Sequence, residues 1–330
     1  MCGGCHAHDT TPHRYPPTIG EMPVPGEMSR RRFLGVGAAV GLGAVVAACA
    51  GEPDGGASPT EIVPGIEGTL QIVKRFPPNG LVPGRVRLPL SLADARGILG
   101  NDGTRTLPDS LAVTIIDPST GETVASANAK RHGDDLSVPY WPVVVDIDSP
   151  GIYSLRLDAT GQDPGGTTQS NEVSFQVDAP DTVAMPVPGR ALPPFDTPTI
   201  VNSRGVSPIC TRAGGPCPFH GVTLSDALVR GIPVVYLVGT PAHCTTGTCA
   251  PALESLIAVA SEIGERAVFV HADIYADEEA TQVAPAVTAL KMQFEPALFV
   301  TDARGTVATR LDVVFDTDEI RGALATVGLS

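Results

Sequence analysis

The sequence predicts a multidomain chain, an all-β sandwich followed by an α/β domain. From Thr69 to about Val177, short alternating apolar runs are cut by turn residues, with no helical period of any length. From about Ile200, apolar runs of strand and helix length follow one another in the order β-α-β-α-β-β-α. Between them, residues 180–199 hold six prolines and no long apolar run, which reads as a semi-rigid linker.

Composition agrees with this division. The chain has 330 residues, 42% hydrophobic and 18% charged, enough for two cores. Its 36 glycines and 32 prolines call for long loops and linkers. The net charge of −14 excludes nucleic acid as a partner, because such a field repels phosphate.

Each sandwich strand is read from its own run. Leu70–Val73, Arg85–Leu90 and Leu111–Ile116 come first, the last followed by the turn Asp117-Pro118-Ser119-Thr120-Gly121. Val143–Ile147, Tyr153–Leu157 and Val173–Val177 complete the set, and Trp141 is assigned to the core between them. His132 beside Arg131 reads as a surface pair. No catalytic constellation falls in residues 65–179, so this domain reads as a spacer or a binding module.

In the second domain, Ser225–Val229 is a short helix, with Thr223 and Asp226 spaced as a capping box. Ile232–Gly239 is a nearly continuous apolar run, expected as a strand buried on both faces. Leu253, Leu256, Ile257, Ala260 and Ile263 lie on one face of a helix. Ala267–Ala272 is a strand and Val283–Leu290 a helix. Ala297–Thr301 and Thr306–Leu311 are strands joined by a hairpin turn at Asp302–Gly305. Asp316 with Glu319 caps a last helix to about Thr326.

The N-terminal 48 residues read as an address. Ser29-Arg30-Arg31-Arg32-Phe33-Leu34 opens an uncharged Gly- and Ala-rich run to Ala48, too short to span a bilayer, which needs ~20 apolar residues. The paired arginines resemble a twin-arginine export signal. Val46-Ala47-Ala48-Cys49 resembles a bacterial lipobox, which makes Cys49 the lipidated N-terminus of the mature chain. Met28 is an alternative start. Cys2, Cys5, His6 and His8 are metal-ligand types, but they leave with the signal. Residues 49–64 are a Gly- and Pro-rich tether. The expected location is the extracytoplasmic face of a cell membrane, held by lipid.

Of seven cysteines, Cys2 and Cys5 go with the signal and Cys49 takes the lipid. Cys210, Cys217, Cys244 and Cys249 remain. Outside the cytoplasm four thiols can form two disulfides, and the spacing suggests Cys210–Cys217 and Cys244–Cys249. Cys244 and Cys249 fall between a buried strand and a helix, where the helix N-terminus stabilises a thiolate, the nucleophile of disulfide exchange. His243 beside Cys244 would add to this when protonated. Pro251 is expected in the first helical turn, which sets Cys249 nearer the helix N-terminus than Cys244.

On these residues, the strand-Cys motif-helix order and the Pro before the hairpin strands, residues 200–330 resemble the thioredoxin superfamily. The pattern Gly239-Thr240-Pro241-Ala242-His243-Cys244 … Cys249-Ala250-Pro251 is similar to thioredoxin-domain proteins exported by bacteria. Residues 65–179, with the turn Ser149-Pro150-Gly151 leading into inward Tyr153, resemble immunoglobulin-like domains. The thioredoxin resemblance implies that Cys244 attacks, Cys249 resolves, and Pro296 is a cis-proline beside the pair that helps bind substrate. This chain departs from that family in having four residues between the cysteines instead of two.

The function implied is thiol–disulfide exchange on exported thiol or disulfide proteins, with no cofactor and no metal site assigned; the electron donor is not identified. Two other classes remain open. His220, His243 and His271 join four cysteines in one domain, a donor set suited to copper chaperones of thioredoxin-like fold, although His271 in an apolar strand reads as a core residue. The last class is a non-catalytic envelope protein that binds a partner through the sandwich.

Overall fold

A computed structural model describes residues 71–94, 96–102, 107–157 and 172–330. The export segment, Cys49 and the tether lie outside these residues. The chain is rich in β-structure with few helices.

Among the described residues, eight strands precede the first helix. They are β1 (Gln71–Lys74), β2 (Gly84–Asp94), β3 (Gly97–Ile98), β4 (Ser110–Ile116), β5 (Thr123–Lys130), β6 (Trp141–Ile147), β7 (Gly151–Leu157) and β8 (Glu172–Val177). One sheet is organised on the long β2, which pairs β6 along residues 84–90 and β1 and β3 towards its other end. The other runs β5-β4-β7-β8, and all pairings in both are antiparallel. Alternate residues from the two sheets meet in one core. Leu88, Leu90 and Val143 from the first pack with Ile115, Leu155 and Phe175 from the second. Trp141 is wholly buried there, its Nε1–H donating to the Pro108 carbonyl at 3.2 Å. The Tyr153 hydroxyl donates to the Ser149 carbonyl at 2.9 Å and so ties strand β7 to the turn before it. Burying such a large apolar side chain contributes roughly 1.5–3 kcal/mol.

The rest of the chain is built on β9 (Val234–Val238), β10 (Val268–Ala272), β11 (Ala297–Thr301) and β12 (Val307–Asp312) in sheet order β10-β9-β11-β12. β10 runs parallel to β9, while β11 is antiparallel to both β9 and β12. Every residue of β9 and β11 is buried, as continuous apolar runs require when both faces are covered. Val235, Leu237, Leu298 and Val300 face one core with α2 (Cys249–Ile263) and α4 (Thr317–Ala325). Val234, Tyr236, Val238 and Phe299 face another with α1 (Leu224–Leu228) and α3 (Pro285–Leu290). The expected caps form: Thr223 accepts from the Asp226 N–H at 2.9 Å and Asp316 from the Glu319 N–H at 3.1 Å.

The proline-rich stretch does not stand free. Val183, Met185, Val187 and Leu192 alternate with its prolines and are buried against the second face of the sheet. Its backbone also bonds to the start of β12, through Gly189 N–H to Val307 O at 2.8 Å and Leu192 N–H to Gly305 O at 2.9 Å.

His132 is not a surface pair with Arg131. Its Nδ1 lies 2.8 Å from Asp316 Oδ2, the carboxylate that caps α4. Next to it, the Arg87 guanidinium donates from Nε and Nη2 to the two Glu319 oxygens at 2.7 and 2.6 Å, and from Nη1 to the Asp312 carbonyl at 3.1 Å. Tyr140 donates to the same Glu319 at 2.7 Å. These bonds join the strands before residue 178 to the last strand and helix.

Candidate active site

Helix α2 begins at Cys249, and its first N–H groups have no partner within the helix. Thr248, at the cap position, makes no side-chain cap bond. The Cys244 sulfur fills that role: the Cys249 N–H points to it at 3.4 Å. The loop 244–248 curls to allow this, with Gly247 at φ 68° and its N–H donating to the Cys244 carbonyl at 3.1 Å. The Thr246 hydroxyl lies 3.1 Å from the same sulfur.

The two thiols are thereby made unequal. Cys244 is partly exposed and Cys249 is buried. The hydrogen bond from the Cys249 thiol pulls Cys244 down to about 4, against the raising effect of burial and with help from Thr246 and the backbone N–H groups. Sharing with Cys244, together with burial, pushes the Cys249 thiol up. Pro251 sits in the first turn of α2 as expected, but the thiol nearer the helix N-terminus is not the one with the lowered pKa. Burial and the proton it shares outweigh the dipole at Cys249.

Glu295 joins the pair. Its carboxylate and the two sulfurs lie within 4.8 Å of one another. Burial raises it to about 7, opposed by the Thr240 N–H, which donates to Oε2 at 2.7 Å. Sequence reasoning missed Glu295, whose only signal is its place directly before Pro296. The Glu295–Pro296 peptide is cis. Gly239 closes the site from below: a Cβ there would stand 3.1 Å from Pro296 Cβ and 3.4 Å from Cys249 Sγ. His243 is directed elsewhere, its ring edge-on to Tyr275 with centroids 6.0 Å apart.

All four cysteines are free thiols in this structure, so any disulfide belongs to an oxidised form. Cys210 and Cys217 are both buried, with His271 Nδ1 3.7 and 3.5 Å from their sulfurs. Comparison of the chain with protein-family models and with curated proteins finds no match.

Proposed function

We propose that the chain is a thiol–disulfide oxidoreductase of thioredoxin-like type. The observation that supports it is the asymmetry of Cys244 and Cys249. An accessible thiol held as thiolate at neutral pH stands over a buried thiol held protonated, with an acid of pKa about 7 against both.

The chemistry follows from those three groups. The Cys244 thiolate attacks one sulfur of a substrate disulfide. A Cys244–substrate bond forms, the substrate S–S bond breaks, and the other substrate sulfur leaves as a thiolate that takes a proton from water. Glu295 then accepts the Cys249 proton. The Cys249 sulfur attacks Cys244, closing Cys244–Cys249 and expelling the second substrate sulfur as a thiolate, which takes the proton held on Glu295 and leaves as a thiol. The protein is oxidised by two electrons and the substrate reduced by two; run backwards, the same steps oxidise a dithiol. The Pro296 side of the site would receive the substrate chain. Export and lipid anchoring at Cys49 rest on Arg30, Arg31 and the apolar run to Ala48, and they would make exported proteins the substrates.

A thiol titration across a glutathione series, with mass mapping of the pairs, tests the reading. Cys244–Cys249 should open and close at a potential well above about −300 mV. Cys249→Ser should accumulate a mixed disulfide at Cys244, and Cys244→Ser should lose insulin-disulfide reduction. A pair that stays closed below that potential would make the bridge structural and leave a binding module.

A further inference from the structure

We propose that Cys210, Cys217, His220 and His271 bind one zinc ion in a closed tetrahedral site, distinct from the Cys244–Cys249 pair.

The four side chains come from separate places. Cys210, Cys217 and His220 lie on the segment before α1, and His271 lies on β10. All are buried, with relative exposures of 5%, 3%, 1% and 0%. Their ligand atoms lie within 4.8 Å of one another. The distances from His271 Nδ1 are 3.7 Å to Cys210 Sγ, 3.5 Å to Cys217 Sγ and 3.3 Å to His220 Nε2. A tetrahedron with Zn–S of about 2.3 Å and Zn–N of about 2.05 Å has S···N edges of about 3.6 Å and N···N edges of about 3.3 Å. The three measured separations match those edges.

The surroundings orient the donors. His271 Nε2–H donates to the Gly239 carbonyl at 2.9 Å, which leaves Nδ1 as the bare nitrogen facing the sulfurs. Metal-bound imidazoles use this arrangement. The Cys217 N–H points at Cys210 Sγ at 3.5 Å, a contact that favours thiolate. Asp273 Oδ1 stands 3.6 Å from His271 Nε2, and its Oδ2 accepts the Thr211 N–H at 2.9 Å, tying β10 to the loop between the cysteines.

Charge selects the ion. Two thiolates and one dication sum to zero, so a Zn(Cys)₂(His)₂ unit adds no net charge to this buried site. Binding displaces two thiol protons to solvent and changes no oxidation state. Copper(I) on the same ligands would leave one negative charge buried. A Cys210–Cys217 disulfide would consume the sulfurs and leave two buried imidazoles converging on an apolar bridge. Four protein ligands and no exposed face mark a structural ion rather than a catalytic one. The proposal is independent of the redox reading.

The test uses the full chain carrying Cys2→Ser and Cys5→Ser, so that the N-terminal thiols contribute nothing. It is loaded with Zn²⁺ under a non-thiol reductant, and metal content is measured after gel filtration. One zinc per chain is expected, lost in Cys210→Ser and His271→Gln and kept in Cys244→Ser. Because either ligand variant can fail to fold, the unsubstituted ligand set is also loaded with Co²⁺. It should give tetrahedral visible bands with thiolate-to-cobalt charge transfer. Absence of that charge transfer, no retained zinc, retention undiminished in Cys210→Ser, loss in Cys244→Ser, or retention of copper(I) in place of zinc would each overturn the proposal.

Discussion

Glu295 is the residue on which the proposed exchange depends for its pH behaviour. Its carboxyl is raised to about 7 by burial, and the groups facing it are Cys244, Cys249 and Thr240. Only the ionised carboxylate can take the Cys249 proton, so release of a mixed disulfide at Cys244 should accelerate as pH rises through about 7. Glu295→Gln should remove that inflection and slow release on the order of 10²-fold, the usual worth of a placed general base. Attack by Cys244, already ionised well below neutrality, should keep its rate. Stopped-flow quenching with a fluorescent disulfide separates the two steps. Both cysteines could be picked out from their place between a strand and a helix. The acid could not, because it is 46 positions beyond Cys249 and arrives through pairing alone: Ala297 stands opposite Val238, which brings the residues before β11 beside those after β9. His271 is reached in the same way, through its register with Leu237.

Among elements, β9 sets the geometry of the site, and Gly239 just past its end leaves only tight space for a Cβ. Gly239→Ala would put a Cβ 3.1 Å from Pro296 Cβ, so Pro296 must give by a few tenths of an ångström. It should cost about 1–3 kcal/mol in urea unfolding, the typical penalty of overpacking, and lower the exchange rate. A substitution that left both unchanged would mean the close approach is unimportant. Elements with strong periodicity were legible: β9, β11, α2 and α4 fall within a few residues of their expected bounds. Strand β5 was not. Its sequence, Thr-Val-Ala-Ser-Ala-Asn-Ala-Lys, is mostly exposed and weak in strand formers. It becomes a strand because the 117–121 turn returns it against β4, where seven residues of β4 pair with it. The two-residue β3 carries no signal of its own and exists through β2.

For the whole molecule, the contact between the strands before residue 178 and the last helix is charged and largely shielded. The Arg87 and Glu319 side chains are 12% and 10% exposed. Removing one partner strands the other, so Arg87→Ala should cost about 3–5 kcal/mol by urea unfolding. His132 adds a pH dependence. The bond to Asp316 raises its pKa above 6.5, with Glu319 and Asp318 contributing. Its stabilisation is therefore full below pH 6.5 and is lost as pH rises through the raised value. Burial, the largest single effect, works to raise Asp316, but the His132 bond and charge together with the Glu319 and Gly133 N–H donors outweigh it, and the net shift is downward. Its share is present above 3.8 and lost as pH falls through the depressed value. The urea midpoint should fall as pH rises from 6.5 through the raised His132 value, and His132→Gln should flatten that fall.

The six-proline stretch that seals one face of the second sheet has a mechanical meaning. A hinge needs chain that can change direction without breaking contacts, and residues 183–192 would have to pull four apolar side chains out of a core before any swing began. The thiols are thus carried on a stiff mount instead of an arm. A protease searching for slack chain should leave residues 172–330 in one piece, and in the proposed exchange a partner must bring its own disulfide to Cys244, since Cys244 has no reach with which to go and find it.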